Sequence, residues 1–593
     1  MDVTKRLSAF RAKMKEEGFA VVIVPTADSH ASEYIADHFK TRQWLCGFTG
    51  SAGTLVVAGQ EAALFTDGRY FIQAERQLQG SGVTLMRMGA AGVPTLEAYV
   101  SGLLGEGDTL GVDFSVISDS FAQQLRTVTA NLRDTGDWFE TLWADRPALP
   151  QGEAWTLEEK YAGRSVQDKL SAIRAKMREA GAQAHVTNVL DDIAWTLNVR
   201  GSDVLNTPVV MSYLVVAEDE AFWYVDERKV TPALRARLEA SGVRVCAYEA
   251  IDGALGAIEP GTRVLADRSK LTARLCAALD HAQLVQGENP AFRMKAVKNE
   301  TELAGLRAAH IKDGLAVTRL MYWLKKNVGT IPMTEISVSD KLLELRREQE
   351  GFISPSFDTI CAYRANAAMM HYKAAPESCA ALEPRDLLLI DSGGQYYEGT
   401  TDITRTFALG EVEQTQKMHF TAVLCSMLNL ANAKFLHGCS GIALDILARG
   451  PIWDMGIDYQ CGTGHGVGHL LSVHEGPNAF RWYKSATRNE DSVLEAGMVT
   501  TDEPGVYIEG SHGIRTENEL VCVKKECNEY GQFMGFEAIT CAPIDLDAVI
   551  AQQMTARQRA WLNEYHAFVY AALSPLMKDP QEAAWLREAT RAI

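Results

Sequence analysis

One stretch constrains this chain more than any other. Leu387-Leu388-Leu389-Ile390-Asp391-Ser392-Gly393-Gly394 leads through Gln395 to Thr400 into Thr401-Asp402-Ile403-Thr404-Arg405-Thr406-Phe407. An apolar run ends in one aspartate, a glycine-containing segment follows, and alternation resumes around a second aspartate. That pattern predicts two antiparallel strands joined by a turn. Closed at Tyr396-Tyr397, the hairpin sets Asp391 opposite Asp402, with Cβ atoms about 4.5–5.5 Å apart. Two carboxylates at that spacing repel unless a proton or a cation sits between them. A divalent metal is the strongest remedy, and oxygen ligands suit hard cations such as manganese. On this stretch alone the alternative stays open, that one aspartate points to solvent.

The same problem returns downstream. Val499-Thr500-Thr501-Asp502-Glu503-Pro504-Gly505 and Ile514-Arg515-Thr516-Glu517-Asn518-Glu519 flank a loop centred on Gly510, which sets Glu503 opposite Glu517. Between the two hairpins lie Gly462-Thr463-Gly464-His465-Gly466-Val467-Gly468-His469 and Ser472-Val473-His474-Glu475-Gly476-Pro477. Glycines around a histidine suit a backbone that passes close to something. Neutral imidazole is a common metal ligand. Two Asp, one His and two Glu can hold two metals about 3.5–4 Å apart and generate a hydroxide nucleophile between them.

The set Asp391, Asp402, His465, Glu503 and Glu517, with His371 upstream in Asn366-Ala367-Ala368-Met369-Met370-His371-Tyr372, resembles the pita-bread metallopeptidases. It is most similar to the long, three-domain Xaa-Pro aminopeptidases, the aminopeptidase P family. Each element alone is weak; the order Asp, Asp, His, Glu, Glu with these flanks is specific. The resemblance implies that Asp391 binds one metal alone, that His465 and Glu503 bind the other, and that Asp402 and Glu517 bridge. It implies two divalent ions per subunit, manganese by family habit, with zinc or cobalt fitting the same ligands. It implies hydrolysis of the bond between an N-terminal residue and a penultimate proline by a metal-bridging hydroxide. Glu503 becomes the proton shuttle. His371 and His474 contact the substrate and stabilise the oxyanion. Arg515, two residues before Glu517, orients ligands from behind. His469 lies four residues after His465, but the intervening glycines argue against a helical ligand pair, so it reads as structural. The implied fold class is α/β (α+β): two related creatinase-type N-terminal α/β domains, then a pita-bread catalytic domain.

In one place the chain departs from the pattern. Relatives often carry histidine just before Gly-Thr-Gly-His, where this chain has Cys461. In the relatives that histidine is associated with the pocket next to the metals, so the resemblance leaves the shape of the proline pocket open here, and Cys461 reads either as a reactive thiol or as plain filling. Extra length between Gly476-Pro477 and Glu503, from Trp482 to Asp491, reads as a surface loop.

With 593 residues, more than one domain is expected. A net charge of −18 argues against nucleic acid or an anionic membrane surface as partner. The start of the chain leads into an amphipathic helix rather than an apolar leader, and no apolar run is long enough to span a bilayer. Eleven cysteines without CxxC spacing read as reduced thiols of a cytoplasmic protein.

An internal repeat sets the organisation. Leu7-Ser8-Ala9-Phe10-Arg11-Ala12-Lys13-Met14 returns as Leu170-Ser171-Ala172-Ile173-Arg174-Ala175-Lys176-Met177, and Phe65-Thr66-Asp67 as Tyr224-Val225-Asp226. Two related α/β domains follow, 1–157 and 158–298, linked near Arg146 to Gly152. A catalytic domain spans 299–545 and a helical extension 546–593. The first two domains carry no ligand constellation and read as structural. Arg42 and Trp44 are singled out as rim residues facing a neighbouring subunit's cleft, and Arg200 as a structural loop cation. A long helix starts at Lys298-Asn299-Glu300, another after Thr334 as N-cap, and strands then carry His371.

Three rivals stand against the aminopeptidase: a prolidase restricted to Xaa-Pro dipeptides, a non-enzymatic pita-bread protein that binds peptides, and a metal-free creatinase-like hydrolase. The doubled N-terminal region favours the aminopeptidase over the prolidase. Five filled ligand positions disfavour the other two. A homodimer is implied by resemblance.

Overall fold

In the computed structural model, which describes residues 2–484 and 492–593, the chain divides into two compact units. The first comprises Met1–Glu159 and Arg164–Ala291, the second Lys160–Gly163 and Phe292–Ile593.

The first unit holds the repeat. One six-stranded sheet runs in the order Thr84–Arg87, Ala62–Thr66, Thr54–Ala58, Val21–Pro25, Leu110–Val112, Leu132–Asp134. The other runs Val243–Ala247, Ala221–Val225, Ser212–Ala217, Ala184–Thr187, Arg263–Ala266, Gln283–Gln286. The pairing signs also match. In each sheet the first strand of the copy pairs antiparallel on one side and parallel on the other. Random convergence does not reproduce both order and sign, so the duplication read from two helices is a duplication of whole sheets. The repeated helices are Val3–Glu17, closed by left-handed Gly18, and Val166–Glu179. Their apolar stripes, Leu7-Phe10-Met14 and Leu170-Ile173-Met177, are buried, as the 3.6-residue period demands. Arg42 and Trp44 are not rim residues. Arg42 is buried and donates to the carbonyls of Phe48 and Gly50, and Trp44 stacks on Trp143 at 5.4 Å. Their short helix, Thr41–Cys46, supplies the domain's own core, which leaves neither side chain available to a neighbour. Arg200 is likewise buried, donating to the carbonyls of Ala194 and Val199.

The second unit includes the long helix Glu300–Asn327, capped by Asn299 and Glu302 in a capping box, and Glu335–Arg347, capped by Thr334. A three-stranded sheet follows, Ile360–Tyr363, Leu387–Ser392 and Ile403–Ala408. A six-stranded sheet runs Lys434–Leu436, Gly531–Ala538, Asn518–Asn528, Val499–Asp502, Gly464–Gly466, Glu475–Phe480. The helices Gln414–Ala431 and Gly441–Trp453 pack on each other, with Phe420, Val423, Leu424 and Leu428 in the core. Ala556–Leu573 buries Leu562, Val569 and Leu573.

Two expectations about the acidic hairpins meet different outcomes. Around Gly510 the register is as read: Gly505 pairs with Arg515 in the ribbon, and Asp502 with Asn518 beyond it. Glu503 and Glu517 lie between those pairs. The first hairpin is shifted. Asp391 pairs with Thr404, not Asp402, because a small inner ribbon, Gln395 with Thr400 and Tyr396 with Gly399, turns at Tyr397-Glu398. Gly399 at φ +153° accepts that turn, which an L side chain rarely adopts. Asp402 therefore sits two residues before Asp391's partner, on the same strand face. His371 is not on a strand. It stands on a turn after the 3₁₀ helix Arg364–Ala368, where backbone groups bond locally rather than in a ladder.

Candidate dinuclear metal site

Asp402 and Glu517 are 4% and 1% exposed, yet their carboxyls crowd together. Asp402, His465 and Glu517 each offer a donor atom, all within 4.8 Å of one another. His465 Nε2 lies 3.5 Å from Asp402 Oδ2 and 3.3 Å from Glu503 Oε1. Burial pushes the Asp402 carboxyl well above the ordinary range, and the charges of Glu517, Asp391 and Glu503 push it further. Glu517 is raised well above by burial, then by Glu503 and Asp391. Glu503 is raised by burial, against the pull of Arg515. Acids that frustrate one another in a desolvated pocket fit a group of concentrated positive charge. The donor set, four carboxylates and one imidazole, suits a pair of divalent cations.

The surroundings hold these donors in place. His465 sits on Gly464–Gly466, and a Cβ on Gly464 would fall 1.8 Å from the Thr501 carbonyl oxygen, so the strand can lie this close only with glycine there. His465 Nδ1 is 2.9 Å from the Gly466 carbonyl oxygen. A proton donated there leaves Nε2 as a lone pair facing the acids. Thr404 Oγ1 donates to Glu517 Oε2 at 2.7 Å, and Thr501 Oγ1 to Glu503 Oε1 at 3.1 Å. Arg515 donates from Nη2 to Asp391 Oδ2, from Nε to Thr404 Oγ1 at 3.1 Å and from Nη1 to Tyr507 OH at 2.6 Å. One arginine thus orients Asp391 directly and Glu517 through Thr404. Asp391 Oδ1 is buried and makes no hydrogen bond among the described residues.

His474 lies beside the cage, its ring edge-on to that of His465 at 4.2 Å. The next residue, Glu475, is buried against two lysines: Lys298 Nζ bonds Oε1, and Lys295 Nζ lies 3.2 Å from Oε2. His371 is half-buried on its turn. His469 is buried, 3% exposed. Cys461 precedes the His465 loop, and burial, with the Glu503 charge, pushes its thiol up to about 12. It therefore reads as filling, since the thiolate is the reactive form. Iodoacetamide at pH 7.5 is expected to label the exposed Cys527 long before Cys461. Peptide mass spectrometry over a labelling time course checks this, and comparable rates would contradict it. Of the loop expected over Trp482 to Asp491, Trp482 and Tyr483 are half-exposed; 485–491 lie outside the described residues.

Sequence reading missed Glu519. Its Oε1 accepts from the Asp402 backbone N–H at 2.7 Å and lies 3.2 Å from His310 Nε2. Burial works against the His310 imidazolium, but the Glu519 carboxylate holds its pKa above the ordinary value. The signal was available: Glu517 and Glu519 share a strand face.

Comparison with known proteins gives the same picture. The model of metallopeptidase family M24 matches residues 304–524, and that of its C-terminal region 532–593. Models of the creatinase/prolidase N-terminal domain match 6–142 and 145–302. Aminopeptidase P2 of Arabidopsis thaliana is 37% identical, covering 100% of this chain and 89% of its own length. The chain belongs to the aminopeptidase P family of M24 metallopeptidases. Another member, a probable Xaa-Pro aminopeptidase P of Laccaria bicolor, is 38% identical across 99% of this chain and 93% of its own. Among solved structures, an X-prolyl aminopeptidase from Caenorhabditis elegans, described as a cytosolic enzyme with a di-nuclear active site, superposes with a TM-score of 0.94. Its identity is 31%, and 100% of both chains is covered. A Xaa-Pro dipeptidase from Bacillus anthracis matches only 64% of this chain, at TM-score 0.50 and 25% identity, while 99% of its own length is covered. The aminopeptidase P family thus accounts for both N-terminal sheets as well as the catalytic unit.

Proposed function

We propose that the chain is a dinuclear metallo-exopeptidase that releases the N-terminal residue from peptides whose second residue is proline. The observation that carries this is the convergence of Asp402, His465, Glu503 and Glu517 in one desolvated pocket, with Arg515 holding Asp391. In this reading Asp391, Asp402, His465, Glu503 and Glu517 hold two divalent ions, manganese by family habit. Bound there, the ions supply an acidified water as nucleophile and polarise the scissile carbonyl. The chain's own residues do the rest. Glu503 accepts the water's proton at a carboxylate oxygen and passes it to the prolyl nitrogen as that nitrogen leaves. His474 and His371 donate to the carbonyl oxygen as negative charge builds on it. Arg515 keeps Asp391 and Glu517 aimed throughout. Residue ranges 1–157, 158–298, 299–545 and 546–593 are the corresponding domains. A homodimer in the cytoplasm completes the reading; both rest on likeness to the family. Among the described residues no helix is long and apolar enough to cross a membrane.

Proline selectivity does not follow from a metal cage, which attacks an amide whatever lies beyond it; it rests on the family. The likeness to a dipeptidase over 64% of the chain keeps the prolidase reading as the competitor. Arg-Pro-Pro and Arg-Pro separate the two. The expected result is manganese-dependent release of arginine from the tripeptide, abolished by chelation and restored by the ion. Cleavage of the dipeptide alone would make the chain a prolidase. No release with any divalent ion would leave a peptide-binding protein.

A further inference from the structure

The turn bearing His371 has no ladder of its own, yet four donors from its flanks converge on one buried carboxylate. Glu335 opens the helix Glu335–Arg347 directly after its N-cap and is 0% exposed. Its Oε1 accepts from the Tyr363 backbone N–H at 2.6 Å and from Asn366 Nδ2 at 3.0 Å. Its Oε2 accepts from Tyr372 OH at 2.8 Å and from the Ala380 N–H at 2.7 Å. The Ala380 carbonyl in turn accepts from the Glu335 N–H at 3.2 Å. Asn366 Nδ2 also lies 3.1 Å from Tyr372 OH, closing the network.

These partners bracket His371. Tyr363 and Asn366 precede it, Tyr372 adjoins it, and Ala380 ends the segment. Between them the backbone bonds outside the 3₁₀ helix include the turn bonds Met369 N–H to the Asn366 carbonyl, Tyr372 N–H to that of Met369, and Ser378 and Cys379 N–H to that of Ala375. A segment with so little ladder takes its position from its tether. Asn366 and Tyr372, which flank His371 in the sequence motif, are thus explained by Glu335, a residue that the motif does not contain.

We propose that Glu335 is a positioning residue for the peptidase reaction, fixing the turn that presents His371 to the substrate. This rests on the reading that His371 contacts the substrate. Glu335 is neither a ligand nor a catalytic residue; it acts through His371. A displacement of about 1 Å at such a group costs on the order of a hundredfold in rate.

Glu335→Gln keeps the shape but turns one acceptor into a donor. Its NH₂ must then face either the Tyr363 or the Ala380 N–H, leaving a buried backbone donor unmatched. The test is a double-mutant cycle in the full chain at saturating Mn²⁺, with kcat and KM on Arg-Pro-Pro and bound metal measured for each variant. The expected result is a kcat/KM lowered by about 10- to 100-fold in Glu335→Gln, metal content unchanged, and little further loss when Glu335→Gln is added to His371→Ala. Tyr372→Phe, which removes a single donor, serves as the milder second variant and is expected to lower kcat/KM in the same direction. Equal losses in both backgrounds, or activity that falls in step with metal content, would overturn the proposal. If His371→Ala alone has no effect, it is the role of His371 that fails.

Discussion

Replacing Asp402 by asparagine is expected to lower kcat/KM on an Xaa-Pro tripeptide by about a thousandfold or more, roughly 4 kcal/mol of transition-state stabilisation. The substitution conserves volume and shape. What it removes is one negative charge from a position where Asp402 Oδ2 lies 3.5 Å from His465 Nε2 and where Glu517, Asp391 and Glu503 all act on the same carboxyl. In the proposed reading Asp402 would help hold both ions, which would supply the nucleophile and polarise the carbonyl. The prediction has a second half. Without metal, those neighbours repel the charge on Asp402, so a neutral side chain relieves the pocket. Chelated Asp402→Asn should therefore unfold no more easily than chelated wild type. Steady-state kinetics and thermal denaturation decide together. Near-normal activity would mean that Asp402 is no ligand, and a large loss of metal-free stability would mean that the activity loss is only misfolding.

The second large effect concerns metal removal and pH. Asp402, Glu503 and Glu517 have folded-state pKa values above their unfolded ones, burial being the first cause for each. The folded protein without metal thus holds protons that the unfolded chain has released. Its stability is greatest at or below the ordinary carboxylate range and falls as pH climbs from there toward the raised folded values. His512 and His566, each pushed down to about 4 by burial, tilt stability the other way between about pH 4 and their ordinary 6.5. They do so with or without metal, so the difference between chelated and loaded protein isolates the cage. Bound cations hold the acids ionised and remove the penalty. Each ion at about a thousand times its dissociation constant adds roughly 4 kcal/mol besides. Melting temperatures at pH 5, 6.5 and 8 should therefore show a gap between loaded and chelated protein that widens with pH. A gap that narrows or stays flat would show that the acids are not in conflict.

How much of this the sequence discloses depends on what fixes each feature. The Gly510 ribbon was legible because its turn lies midway between the two acids, so counting outward finds Glu503 opposite Glu517. The Asp391 hairpin was not, because its turn falls at Tyr397-Glu398 rather than Tyr396-Tyr397, and a turn displaced by one residue moves every pair with it. The donors themselves were legible: carboxylates and an imidazole among glycines are chemically conspicuous whatever the register. Their supports were less so. Arg515 stood out only through its two-residue offset from Glu517. Glu335 looked like an ordinary acidic residue in a first helical turn, and Glu519 like a solvated strand position. The groups they bond come from segments distant in the chain, so even the strand face that Glu519 shares with Glu517 does not name its partners. Arg42 and Trp44 failed for the opposite reason: polar or amphipathic residues on a short helix look exposed until the core that claims them is seen.

The paired lysines on Glu475 carry a lesson for anyone shortening this enzyme. Lys295 and Lys298 precede the long helix that opens the sequence-defined catalytic domain, yet their ammonium groups lie in its interior, one residue along from His474. A fragment begun at residue 299 would strand the Glu475 anion in a dry interior next to His474. Keeping the stretch from Phe292 onward retains both lysines with Glu475, so the compact unit around the site is longer than its first conspicuous helix suggests.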